Sequence, residues 1–170
     1  TQRGNRGTSA HGFRQTVEVV CSGVIGPISE VHVWTNRPIW PQGADALCQH
    51  AGVRAALRGG NGSPPVPDHL DWDLWLGPAP RRAYNAKRCN YTFRWLYDYS
   101  GGKMTDWGAH HVDIATWAIG YDREGMGPVE IDGTDANHPV PFKDGYPTVD
   151  DCYNTAHDYA VKCTFANGME

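Results

Sequence analysis

Residues 99–120 read Tyr99-Ser-Gly-Gly-Lys-Met-Thr-Asp-Trp-Gly-Ala-His-His-Val-Asp-Ile-Ala-Thr-Trp-Ala-Ile-Gly120, and this stretch organises the chain. Trp107, His111, Ile114 and Ala118 recur at helical spacing, and Val112, Ala115, Thr116 and Ile119 widen the stripe. Gly120 is placed to cap the C-terminus, and Ser100-Gly101-Gly102 gives a pliable entrance. Asp106, His110 and Asp113 follow i, i+4, i+7 spacing. At about 100° per residue they fall within roughly 60° of one another. An imidazole beside a carboxylate can accept a proton from a hydroxyl while its new charge is balanced. The same residues can also serve as dipole partners at a helix start, as ordinary surface groups, or as part of a metal shell. Spacing alone leaves these alternatives open.

The segment Gly101-Gly-Lys-Met-Thr-Asp-Trp-Gly-Ala-His-His-Val-Asp113 closely resembles the signature of the Gfo/Idh/MocA family of oxidoreductases, which includes glucose–fructose oxidoreductase and inositol dehydrogenase. In that signature a Gly-Gly loop precedes a helix reading Asp-x-Gly-x-His-x-x-Asp. The resemblance implies that His110 transfers the proton of a substrate hydroxyl, that Asp106 positions the substrate, and that Asp113 supports the pair. It implies NAD or NADP as cofactor, bound mainly by an N-terminal domain outside this sequence, with no metal. Val66-Pro-Asp-His-Leu-Asp-Trp-Asp-Leu-Trp-Leu-Gly-Pro-Ala79 is similar to a bacterial branch of the same family.

Composition is that of an ordinary globular chain: 170 residues, 40% hydrophobic and 20% charged. A net charge of −4 argues against nonspecific nucleic-acid binding, which needs a basic face. No apolar run reaches the length of a membrane span, and no signal peptide is visible. The reading is therefore cytoplasmic, or exported if an upstream signal exists. Cys21, Cys48, Cys89, Cys152 and Cys163 form no CxxC pair and no zinc spacing, so they read as unpaired thiols that favour a reducing compartment. Seven tryptophans and eight tyrosines suit both core packing and stacking on sugar rings.

Outward from the central stretch, Thr8 or Ser9 is placed to cap a helix over His11–Ser22, and Ile28–Thr35 alternates as a strand. Asn36, Arg37 and Trp40 follow that strand as candidate substrate contacts, with Lys103 in the glycine loop as a further one. Residues 44–57 have helical character and 58–67 form a breaker-rich loop. Leu70–Pro80 holds a short helix stopped at Gly77-Pro78. Tyr91–Tyr99 alternates through Phe93, Trp95 and Tyr97. Strands are expected at Pro128–Asp132 and Asp158–Phe165, with loop between them from Gly133 to Pro147. Asn167-Gly168 is the strongest short hairpin signal. Two residues follow it, which reads as a chain that stops inside a sheet.

These readings combine into an α+β fold: a mainly antiparallel open sheet with helices packed on one face, incomplete, and similar to the C-terminal domain of dihydrodipicolinate reductase. Residues 1–26 are expected to be a remnant of the nucleotide-binding domain with its connecting helix, and 27–170 the substrate domain, truncated at its C-terminal end. No GxGxxG follows a strand, and the family's Glu-Lys-Pro lysine motif is absent. The resemblance thus implies an NAD(P)-dependent oxidoreductase acting on a sugar or cyclic polyol hydroxyl, with the isolated chain inactive. It also implies a homo-oligomer formed through the sheet face. Two alternatives stand beside it. One is an NAD-dependent glycoside hydrolase of the same family; the other is a nonredox carbohydrate-binding or assembly module.

Overall fold

The computed structural model describes residues 6–35, 64–86, 88–121, 126–150 and 152–170. In chain order these carry α1 (Arg6–Ser9), α2 (His11–Cys21), α3 (Trp72–Leu76), a 3-10 helix (Asn90–Trp95), a π turn (Met104–Gly108) and α4 (Ala109–Ala118). The strands follow: β1 (Glu130–Asn137), β2 (Phe142–Lys143), β3 (Tyr146–Pro147) and β4 (Asp158–Thr164). The fold is α+β. Among the described residues the strands make two separate two-stranded sheets, β1–β4 and β2–β3. The chain divides into two compact units, one from Thr1–Asn36, Asp106–Asp135 and Ala160–Glu170, the other from Arg37–Thr105 and Ala136–Tyr159.

In the first unit α2 packs against α4, and α1 packs against both. The Cys21 thiol donates to the Ala118 carbonyl at 3.4 Å, tying the two longer helices end to end. α2 keeps the expected span, but its cap differs. Thr8 and Ser9 lie in α1, and Ala10 takes the N-cap position with no side-chain bond. α4 ends as its sequence requires. Gly120 has φ +76°, its N–H donates to the Trp117 carbonyl, and the Tyr121 N–H reaches back to Thr116, a Schellman closure.

Strands β1 and β4 run antiparallel, since the Val129 N–H donates to Thr164 and the His157 N–H to Asn137. β1 runs well past the expected Asp132, because Gly133–Asn137 continues the ladder despite its poor strand propensity. Residues 28–35 are not a regular strand. The Val31 N–H donates to the Glu170 carbonyl and the Glu170 N–H to Ser29, without assembling a regular ladder. Asn167-Gly168 does close a turn, of a different type. The Gly168 N–H donates to Phe165 with only Gly168 at positive φ (+83°), a type I turn with a following glycine bulge.

The second unit is built on Trp95, Leu96 and Tyr153, with Tyr99 against them, and on a neighbouring cluster of Val140 and Cys152 flanked by Phe142 and Val149. Asn154 is buried and acts as a brace. Its Oδ1 accepts from the Tyr97 N–H at 2.8 Å and its Nδ2 donates to Val149 at 2.9 Å. The alternating run 91–99 folds as the 3-10 helix and a turn rather than a strand, which sends Trp95 and Leu96 inward and leaves Tyr91 exposed. In the stretch read as loop, Asp144 (φ 52°) and Gly145 (φ 81°) form a two-residue type I′ hairpin pairing Lys143 with Tyr146. Arg82 joins two of this unit's carboxylates. Its Nε donates to Asp98 Oδ2 at 2.9 Å and its guanidinium also pairs with Asp150.

The expectation of five unpaired thiols fails at Cys152, which is disulfide-bonded and fully buried. Spacing could not show this, because a disulfide depends on through-space proximity rather than on a CxxC pattern. Cys21, Cys89 and Cys163 are free thiols. In denaturant without reductant, iodoacetamide is expected to label these three and leave Cys152 unlabelled until reductant is added; peptide mass mapping reads the outcome.

Burial pushes the phenols of Tyr99, Tyr153 and Tyr159 above their ordinary value. The unfolded chain releases these protons first as pH rises. Stability is therefore full below the ordinary phenol range and lost as pH climbs through the raised values. Urea midpoints measured across an alkaline pH series are expected to fall over that window. A flat profile would show that these rings are accessible to solvent.

Candidate active site

The glycine loop and the helix that follows it are built by local hydroxyl chemistry. Thr105 Oγ1 accepts from the Gly101 N–H at 3.1 Å, lies 3.0 Å from Ser100 Oγ, and donates to the Gly102 carbonyl at 3.3 Å. One side chain thus ties three consecutive loop residues together. Gly102 is buried with φ +68°, packed so closely on Thr155 that no Cβ would fit. The chain then enters the π turn Met104–Gly108 before α4 begins at Ala109. Single π turns inside helices widen the hydrogen-bonding ring and recur at functional sites.

That π turn modifies the helical wheel drawn from sequence. Asp106 lies in the wider turn and His110 in the first turn of α4, so the two are four residues apart across a change of helix type. Four residues remain close to one full turn in either geometry, so both stay near one face. Asp106 is half-buried, while His110 and Asp113 are exposed. Trp107 presents its ring edgewise to both imidazoles, with centroids 5.8 Å from His110 and 5.6 Å from His111. His111 places Nδ1 3.1 Å from the Trp34 carbonyl, and His110 is the more exposed of the two.

Lys103 is half-buried in the glycine loop, within the second unit. Asn36, Arg37 and Trp40 lie outside the described residues. Among the described residues, no three His, Cys, Asp or Glu side chains converge as a metal shell requires. No helix among them is long and apolar enough to cross a membrane. Sequence reasoning missed Thr105 and Thr155, which shape the loop. A Thr following Gly-Gly within four residues is a readable signal for the first. Thr155 is distant in sequence and leaves no such signal.

No curated protein matches the chain. A family model described as oxidoreductase family, C-terminal alpha/beta domain matches residues 58–145, just over half of the chain. The matched span contains the glycine loop, the π turn and all of Asp106, His110 and Asp113, together with α3 and the 3-10 helix. The motif resemblance and the domain match agree, and the chain belongs to the Gfo/Idh/MocA family of oxidoreductases, of which it carries the C-terminal α/β domain.

Proposed function

We propose that this chain is the substrate-handling part of an NAD(P)-dependent oxidoreductase acting on a hydroxyl of a sugar or cyclic polyol, with His110 as the proton-transfer residue. The observation that carries the reading is an exposed His110 in the first turn of α4, inside the family-matched segment, following a half-buried Asp106. Oxidising a carbinol to a carbonyl releases one proton and one hydride. His110 accepts the proton, Asp106 orients the hydroxyl, and Asp113 supports the face they share. Asn36, Arg37, Trp40 and Lys103 contribute substrate contacts.

The described residues contain no strand–glycine turn–helix unit of the kind that cradles a dinucleotide. Only the proton side of the reaction is derived from them. In this reading residues 1–26 belong to the nucleotide-binding part and 27–170 to the substrate domain. A broader antiparallel sheet, completed by further strands, carries helices on one face and homo-oligomer contacts on the other. The Cys152 disulfide favours maturation in an oxidising compartment over the reducing one.

The test is an assay of the intact enzyme with NAD or NADP against a panel of aldoses and cyclitols, reading nicotinamide reduction and products together. Reduced cofactor accumulating in step with a ketone or lactone is the expected result. Free sugars released from glycosides without net cofactor reduction would select the hydrolase instead. Binding without turnover would select the carbohydrate-binding module.

A further inference from the structure

Cys152, Tyr153, Asn154 and Thr155 are each no more than 4% exposed, yet none of them belongs to a helix or a strand. Buried irregular backbone has no ladder to hold it and needs other ties. The N–H groups of Asn154 and Thr155 both reach the Trp95 carbonyl, at 3.0 and 3.4 Å. The Asn154 side chain adds bonds to the Tyr97 N–H and the Val149 carbonyl, and the Tyr153 ring joins the Trp95 and Leu96 cluster. These ties meet the strap at 153–155. Its start is fixed by the Cys152 disulfide, in the cluster with Val140.

The other end of the strap carries Thr155, against which the glycine loop is pressed. A Cβ at Gly102 would lie 2.5 Å from Thr155 Oγ1. Gly102 holds φ +68°, Lys103 follows it, and the chain continues through Thr105 into Asp106. Were Thr155 free to retreat, the left-handed turn at Gly102 would lose the wall it is packed on.

The sequence has five cysteines, of which Cys21, Cys89 and Cys163 are free thiols. Cys48, which lies outside the described residues, remains to close the bond with Cys152. A link between positions 48 and 152 closes well over half of the sequence into one loop, the kind that removes most freedom from the unfolded chain. In forming it, the two thiols give up two protons and two electrons to a disulfide oxidant such as oxidised glutathione, which leaves as two thiols. Cys152 has no exposed surface, so a reductant cannot reach its sulfur in the folded chain. The bond is laid down on folding and then kept.

We infer that the Cys152 disulfide, closed with Cys48, is a positioning device for the glycine loop: it anchors the strap 152–155, whose Thr155 sets the turn at Gly102. Its consequence for turnover rests on the oxidoreductase reading above; its consequence for the loop does not.

The test is hydrogen-exchange mass spectrometry on the intact enzyme, reading the peptide that spans Tyr99–Asp106, with nonreducing peptide mapping of the same samples. Mapping is expected to recover Cys152 joined to Cys48. Cys48→Ala, which removes the bond and keeps the buried Cys152 side chain, is expected to speed exchange of that peptide about 10-fold or more. Exchange in α2 should not change. Cys152→Ala should reproduce the effect, and Cys163→Ala, which removes a free thiol, should not. Leu76→Ala weakens the same unit from α3 without touching the strap, and is expected to leave the loop peptide within about 2-fold of wild type. In the turnover assay Cys48→Ala is expected to lower kcat about 10-fold, with a smaller change in KM, while Leu76→Ala lowers thermal stability and spares kcat. Circular dichroism confirms that each variant is folded. Recovery of Cys152 as a free thiol or joined to another cysteine overturns the inference. So does loop exchange in folded Cys48→Ala that matches wild type, or equal acceleration in Leu76→Ala. A wild-type enzyme without nicotinamide-dependent turnover would remove the oxidoreductase reading and leave the exchange result to decide the inference.

Discussion

Replacing His110 with Ala in the intact enzyme is expected to lower kcat by about 10²–10⁴-fold, the range associated with a lost general acid–base group. Substrate affinity should change far less, because an imidazole acting on a proton contributes mainly to the transition state. The neighbouring residue makes a demanding control. His111 has the same side chain, the same helix and a similar edge contact with Trp107, but its Nδ1 engages the Trp34 carbonyl. His111→Ala should therefore lower stability by about 1 kcal/mol, the net value of one such hydrogen bond. It should leave turnover of the folded protein largely intact. Steady-state kinetics and urea unfolding on both variants provide the comparison. Equal losses of turnover would assign the effect to disruption of α4, and an unchanged kcat in His110→Ala would sink the proton-transfer role.

The contrast between the two histidines also shows what the sequence could and could not reveal. Periodicity located α4 within a few residues, and Gly120 marked its end correctly, because a left-handed residue after a helix is a local requirement that glycine answers. The same held for α3. Asp71 caps it by accepting from the Leu74 N–H, and Gly77 ends it. Features that depend on distant partners were less legible. Nothing in 104–108 announces a π turn. The run 91–99 alternates like a strand, yet Trp95 is drawn inward by Leu96 and Tyr153 rather than by a sheet. Asp144-Gly145 was readable in principle as a type I′ turn, but the prolines around it suggested loop. For the candidate site, the spacing singles out Asp106, His110 and Asp113 as candidates, while the bond of His111 to the Trp34 carbonyl depends on a residue far away in sequence.

Gly102→Ala is expected to destabilise the second unit by about 3 kcal/mol, several times the effect of a glycine change at an open turn. Two costs add at this position. The backbone has φ +68°, where an L side chain costs roughly 1–2 kcal/mol. A Cβ would also lie 2.5 Å from Thr155 Oγ1 and 2.8 Å from Thr155 Cβ, closer than any relaxed contact. Rotating the threonine cannot relieve this, because its own Cβ is part of the clash. Thr155 cannot easily retreat either: it is buried, and the N–H groups of Asn154 and Thr155 both point to the Trp95 carbonyl, at 3.0 and 3.4 Å. Gly145→Ala supplies the reference, since Gly145 has φ +81° with nothing within 4 Å of an added Cβ. It carries the backbone cost alone, about 1 kcal/mol. Urea midpoints of the two variants separate close approach from dihedral strain. Adding Thr155→Gly to Gly102→Ala should recover part of the excess, as coupled neighbours do in a double-mutant cycle. If Gly102→Ala and Gly145→Ala lose equal stability, Thr155 does not hold the loop. Loss confined to Gly102→Ala would instead make the glycine at this position a packing requirement. The loop whose last residue is joined directly to Asp106 would then owe its shape to a threonine fifty residues further along the chain.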